Sequence, residues 1–220
     1  AKDGRFFINQ GDIRQAFIKT GIGAEKKSRV ISEKEKKITA YHEAGHAILF
    51  HLLPEMGPVH TISIIPTGMG AAGYTMPLPE QDEMFNSKKK MLENIVVDLG
   101  GRVAEELIFH DITTGASQDI KQATQMARAM VTQYGMSEKV GMIQYGGDED
   151  EVFIGRDFGH TKNYADQTAA LIDSEVKRII DESYRKAKEI LSQNEEVLHK
   201  CAALLIEKEK IGREEFEALF

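Results

Sequence analysis

The stretch from Ser32 to Pro54 constrains the fold more than any other part of the chain. Ser32 with Glu35 three residues on is a capping-box pattern: each side chain satisfies a backbone N–H that the first helical turn leaves unpaired. Pro54 disfavours helical backbone just before it, so the helix predicted from Ser32 stops at about Leu53. Inside this helix stand His42, Glu43 and His46, with Gly45 between them. A mid-helix glycine costs about 1 kcal/mol relative to alanine, which predicts that another backbone or a ligand comes close at Gly45.

Around this helix the remaining pattern is mostly helical. Residues 5–8 read as a short strand-like piece, followed by a helix from about Asp12 to Thr20 and a glycine-containing basic linker, Gly21 to Arg29. Ile13, Ala16 and Phe17 share a face at spacings of three and four, too little apolar surface for a domain of its own. Two strand candidates follow the central helix, Val59–Ile65 and Ala71–Met76, each closed by a proline, with Thr67–Gly70 as the hairpin or loop between them. Ser87–Phe109 carries Met91, Ile95, Leu99, Val103 and Leu107 at spacings of four and is read as one helix, with Gly100-Gly101 marking a close helix–helix approach. Ser117 is expected to cap a helix to about Tyr134, ended by Gly135. Residues 136–160 are loop-rich, with an acidic run at 148–151. Long and short amphipathic helices, about Asn163–Gln193 and Glu195–Glu207, precede a last turn or two near Gly212.

Two hundred and twenty residues can bury a real core. The net charge of −7 argues against a nucleic-acid partner, because phosphate binding needs a concentrated basic surface. The basic run Lys88-Lys89-Lys90 stands beside Glu80, Asp82 and Glu83 and reads as a solvated surface. Cys201 is the single cysteine, so no internal disulfide forms; it reads as a buried filler. No apolar stretch approaches the roughly 20 residues that a bilayer span needs.

His42 and His46 lie one helical turn apart on one face, so both imidazoles can reach a single ion. Zinc accepts imidazole nitrogen, and a catalytic site keeps a position for water beside three protein ligands. Glu43, next to the first ligand, can take a proton as that water attacks a carbonyl and return it to the leaving amine. The third ligand is open on the residues alone. A metzincin would place a histidine six residues after His46, but Leu52 stands there and Leu49 replaces its glycine. His51 points about 140° away from His46 on the helical wheel and reads as a surface or interface residue. Glu105 or Glu106 on the following helix, and Asp119 in the first turn of the next, are the candidates.

The blocks Thr39–Ala47, Pro58–Pro66, Gly100–Glu106, Thr114–Ile120 and Met130–Ser137 occur in one order along the chain. With them the chain resembles the peptidase domain of the FtsH family, membrane-anchored AAA+ zinc proteases, over essentially its full length. The resemblance implies a mainly α fold: a helical zinc-metallopeptidase domain with a small β-hairpin or sheet at the active-site cleft. Residues 1–31 would then be the C-terminal end of the AAA+ lid and a linker, and 32–220 the peptidase domain. It implies one Zn²⁺ per chain held by His42, His46 and Asp119, Glu43 as general base, and structural or ligand-orienting roles for Glu105 and Glu106. Gly70, Ala71, Ala72, Gly73 and Tyr74 would line the cleft as an exposed sheet edge, where an extended substrate adds as a strand through main-chain hydrogen bonds.

Further expectations come with the family. Substrates would be unfolded or misassembled proteins. The full-length protein would be a hexamer at the cytoplasmic face of the bacterial inner membrane, anchored by segments absent from this chain, which would itself be soluble. ATP would enter only through the ATPase module: no Gly-x-x-x-x-Gly-Lys-Ser/Thr occurs here, and Gly21-Ile22-Gly23 is a linker. A catalytically silent oligomerisation module is the competing reading; intact His42, Glu43, His46 and Asp119 speak against it. A structural zinc site would want four protein ligands, often cysteines.

Overall fold

The computed structural model describes residues 7–21, 23, 25, 31–68, 71–78, 84–145 and 164–220. The acidic run at 148–151, the three carboxylates at 80–83, most of the basic linker and Gly70 lie outside them. So do residues 5 and 6 of the strand-like piece expected at the start; Phe7 and Ile8 are exposed and form no strand.

Helix α1 spans Gln10–Gly21 and α2 spans Glu33–Leu52. The capping box forms as the pattern predicts: the Ser32 hydroxyl accepts from Glu35 N, and the Glu35 carboxylate accepts from Ser32 N. Strand β1, Val59–Ser63, pairs antiparallel with β2, Tyr74–Pro77. Both are shorter than expected, and the connection between them is correspondingly longer. β1 also pairs with a strand that was not expected, β3, Lys210–Gly212, so the sheet order is β2-β1-β3 and β2 is an edge.

The helix expected over Ser87–Phe109 is two, α3 Lys88–Asp98 and α4 Gly100–Phe109, broken at Leu99. The turn brings Gly100 and Gly101 against α2. An added Cβ on Gly45 would lie 2.6 Å from the Gly100 carbonyl oxygen, and one on Gly101 would overlap the His42 ring. Helix α5 spans Ser117–Thr132. Ser117 is its first residue rather than its cap: a 3₁₀ turn at Thr114–Ala116 leads into it, and the Thr113 hydroxyl caps that turn by accepting from Gly115 N. Helix α6, Asp166–Gln193, is followed by α7, Glu195–Lys208, and the short α8, Arg213–Glu217.

Two apolar cores result. The first joins α2, β1, α4 and α7 through Ala44, Ile48, Leu49, Ile62, Val103, Leu198, Cys201 and Leu205. The second joins α3 and α5 through Ile95, Leu99, Ala123, Ala127 and Met130. Helix α6, about 42 Å long at 1.5 Å per residue, serves both. Ile172, Val176 and Ile179 enter the second core and Ala187 and Leu191 the first. These apolar positions of α6 are therefore spent inside the chain.

Candidate metallopeptidase site

A cleft of about 1150 Å³ runs between α2, the β2 edge and the start of α5, lined by His42, Glu43, His46, Thr75, Asp98 and Asp119 among others. Each of its polar groups is held from a different element. His42 and His46 lie one turn apart on α2 with their Nε2 atoms 3.1 Å apart. Asp119, in the first turn of α5, brings Oδ2 to 3.2 Å from His42 Nε2 and 3.8 Å from His46 Nε2. One ligand atom from each of the three falls within 4.8 Å of the others.

The opposite ring nitrogens fix the orientation. His42 Nδ1 is 2.8 Å from Glu105 Oε1, and His46 Nδ1 is 2.7 Å from the Val97 carbonyl, near the free C-terminal end of α3. A carbonyl only accepts, so His46 carries its proton on Nδ1 and turns the Nε2 lone pair toward His42 and Asp119. Glu105 also accepts from Thr113 N through Oε2, at 2.9 Å, and Arg102 donates to the Thr113 carbonyl at 3.2 Å. One buried carboxylate thus ties the first imidazole to the turn that presents Asp119. Glu106, by contrast, pairs with Lys188 at the surface.

The electrostatics fit a cation. Burial works against a charged His42, but hydrogen bonds with Asp119 and Glu105 outweigh it and raise its pKa to about 10. Burial would raise Asp119, yet the two imidazoles press its carboxyl well below the usual range. Burial also opposes ionisation of Glu105, and hydrogen bonds from His42 and Thr113 override it downward. Glu43 goes the other way: burial raises it against the lowering influence of His42, His46 and Thr75. Asp98, unnoticed in the sequence, is pushed by burial to about 6, and among the described residues its buried Oδ2 has no hydrogen-bond partner.

A donor set of two imidazole nitrogens and one carboxylate oxygen, with both rings anchored from behind, is the chemistry that zinc takes in open sites. Ligand atoms on one tetrahedral zinc stand roughly 3.3 Å apart when the bonds are about 2.0–2.1 Å, close to the spacings here. The residues fit the ion. Gly101 fits as well, since a side chain there would occupy the space of the His42 ring.

Of the edge residues expected to line the cleft, Ala71, Ala72, Gly73 and Tyr74 do so; Ala71 and Ala72 are exposed while Gly73 and Tyr74 are buried. The Tyr74 hydroxyl donates to Glu25, which also receives Lys210 and pairs as an isolated bridge with Thr67. Thr75 and Asp98 were missed, and Gly101, expected only as a close helix contact, also makes room for the His42 ring. The only hint of Asp98 was an acid within the apolar run Ile95-Val96-Val97. His51 is exposed and stacks on Phe220, with ring centroids 4.3 Å apart.

A helical scaffold bearing a two-histidine, one-carboxylate centre with a buried glutamate beside it defines a metallopeptidase-type site. The profile of peptidase family M41 matches residues 29–219, and the chain belongs to that family. It is 53% identical over its whole length to an ATP-dependent zinc metalloprotease FtsH of Caldicellulosiruptor bescii and 51% identical to FtsH 1 of a Thermoanaerobacter species. It is 47% identical to FtsH 3 of Petrotoga mobilis. The chain spans about a third of the length of these relatives: 35%, 36% and 34% respectively. Among the described residues no helix is long and apolar enough to cross a membrane.

Proposed function

We propose that this chain is a zinc-dependent endopeptidase domain in which His42, His46 and Asp119 hold one zinc ion and Glu43 is the general base. The observation that carries the reading is the convergence of three ligand atoms within 4.8 Å, from α2 and α5, beside a buried glutamate. Zinc in such a centre supplies a Lewis acid that polarises a peptide carbonyl and acidifies water. Glu43 accepts the proton of the attacking water and delivers it to the departing amine. Burial raises the affinity of Glu43 for that proton, and Thr75 holds its carboxylate. The β2 edge receives an extended, unfolded polypeptide as an added strand, with Ala71 to Tyr74 along it.

By likeness to ATP-dependent relatives, residues 1–31 belong to the end of a preceding ATPase lid and a linker. The full-length protein works as a membrane-anchored hexamer at the cytoplasmic face of the inner membrane, fed with misassembled proteins by its ATPase. A silent oligomerisation module would have no use for a base buried against a metal-ready cluster.

The test is zinc content after exhaustive dialysis together with cleavage of an unstructured peptide. Wild type is expected to hold about one zinc per chain, Asp119→Ala to lose it, and Glu43→Gln to keep it while cleavage falls about 10²–10⁴-fold. Equal zinc in wild type and Asp119→Ala would remove Asp119 from the ligand set. Undiminished cleavage by Glu43→Gln would remove Glu43 as base.

A further inference from the structure

The strand that forms the cleft edge also grips the base. Thr75 Oγ1 lies 2.9 Å from Glu43 Oε2 and 3.1 Å from the Glu43 backbone carbonyl. Two residues earlier in the chain, and so on the same side of the extended segment, Gly73 closes on the other carboxylate oxygen. An added Cβ at Gly73 would lie 2.8 Å from Glu43 Oε1 and 2.9 Å from its Cγ. The Glu43 side chain is thus fixed from β2, although it grows from α2. Among the described residues Thr75 is its hydrogen-bond donor.

We propose that Thr75 is a positioning residue for Glu43, fixing the orientation in which its carboxylate takes the proton. A hydroxyl has one proton to give. Given to Oε2, the nearer of its two acceptors, it holds that oxygen while Oε1 packs against Gly73, so the carboxylate keeps one orientation. Carboxylate torsions are soft, and a base must stay within about 2.6–3.2 Å of the proton that it abstracts. An error of about 1 Å in such a site can cost about 100-fold in rate. Because Thr75 belongs to the edge strand, a polypeptide pairing with β2 orders the element that aims the base. Substrate seating and proton transfer therefore share one strand.

The inference rests on Glu43 being the base, so Glu43→Gln is run beside the Thr75 variants on one fluorogenic peptide, with zinc content measured for each. Thr75→Val, which keeps the shape and removes the hydroxyl, is expected to lower kcat about 10–100-fold, with KM and bound zinc unchanged. Thr75→Ser is expected to restore kcat to within about threefold of wild type, since it keeps the donor. Wild-type kcat in Thr75→Val, a loss confined to KM, or a Ser variant as slow as the Val variant would each overturn the proposal. If Thr75→Val sheds zinc or melts early, Thr75→Ser against Thr75→Cys makes the same comparison between a strong and a weak donor; equal kcat there overturns it. An active Glu43→Gln would instead sink the assignment of the base itself. An inactive Glu43→Gln with a fully active Thr75→Val sinks the role of Thr75 alone.

Discussion

Gly45 and Gly100 meet backbone to backbone, with the Gly100 carbonyl oxygen 2.6 Å from where a Gly45 Cβ would stand. Gly45 also faces Ala104, and Gly100 faces Leu49, so the closest approach of α4 to α2 is made by residues with little or no side chain on the α4 side. This contact lies on the helix that carries His42 and His46.

Gly45→Ala therefore gains about 1 kcal/mol in helix propensity and loses more to overpacking, typically 1–3 kcal/mol and here against rigid backbone. The expected outcome is a net loss of stability, read as a midpoint a few degrees lower in thermal unfolding of the metal-free chain. An unchanged or higher midpoint would show that α4 moves away at little cost.

Glu105 and Glu106 are neighbours with opposite duties. Glu105→Gln weakens the acceptor behind His42, and zinc affinity is expected to fall about 10–100-fold in competition with a chromophoric chelator. Glu106→Gln breaks only the surface pair with Lys188 and should leave affinity unchanged. Equal losses in both would mean that the Glu105–His42 contact does not tune the metal.

Glu175 is buried on α6 and takes Arg178, Lys139 and the Ser137 hydroxyl. Hydrogen bonds from Arg178 lead those holding its carboxyl down at about 2, against an ordinary 4.5. A depressed folded-state pKa means that the stabilisation is complete above about pH 4.5 and disappears as pH falls toward 2. Lys139 is exposed and Arg178 half-buried, so solvent screens part of it. Glu175→Gln should cost roughly 1–3 kcal/mol at pH 7 in urea unfolding, with the gap to wild type closing between about pH 4.5 and 2. A gap that stays constant through that range would sever the link to ionisation.

Cys201 is fully buried in the first core, and burial drives its thiol up to about 12. The thiolate is the reactive form. Labelling by a disulfide reagent at pH 8 is expected only at the rate at which the chain opens, and fully in denaturant. Rapid labelling of the native chain would contradict this burial.

The features written in local sequence were legible: the capping box at Ser32 and Glu35, the stop before Pro54, the spacing of His42 and His46, and the close approach at Gly100-Gly101. The break at Leu99 was not. Met91, Ile95, Leu99, Val103 and Leu107 keep their spacing through it, because both helices continue to offer apolar residues to the interior. Strand β3 has only Lys210, Ile211 and Gly212, too few residues for alternation to register. Ser117 was a plausible cap until Thr113 proved to hold the preceding 3₁₀ turn. Asp119 could not be separated from Glu105 or Glu106 on the residues alone, since its approach to α2 depends on packing between distant helices. Thr75 and Gly73 gave no local sign that they would close on Glu43.

His42 and His46 belong to a helix of the first core, whereas Asp119 opens a helix of the second. An ion bound by all three would be a cross-link between two bodies otherwise joined through α6 and close contacts, in a chain whose single cysteine excludes an internal disulfide. Its contribution would follow mass action, about 2.7 kcal/mol when free zinc stands at 100 times its dissociation constant. The melting temperature would then rise with free zinc in wild type and stay flat in Asp119→Ala, making the reaction centre a staple of the architecture as well.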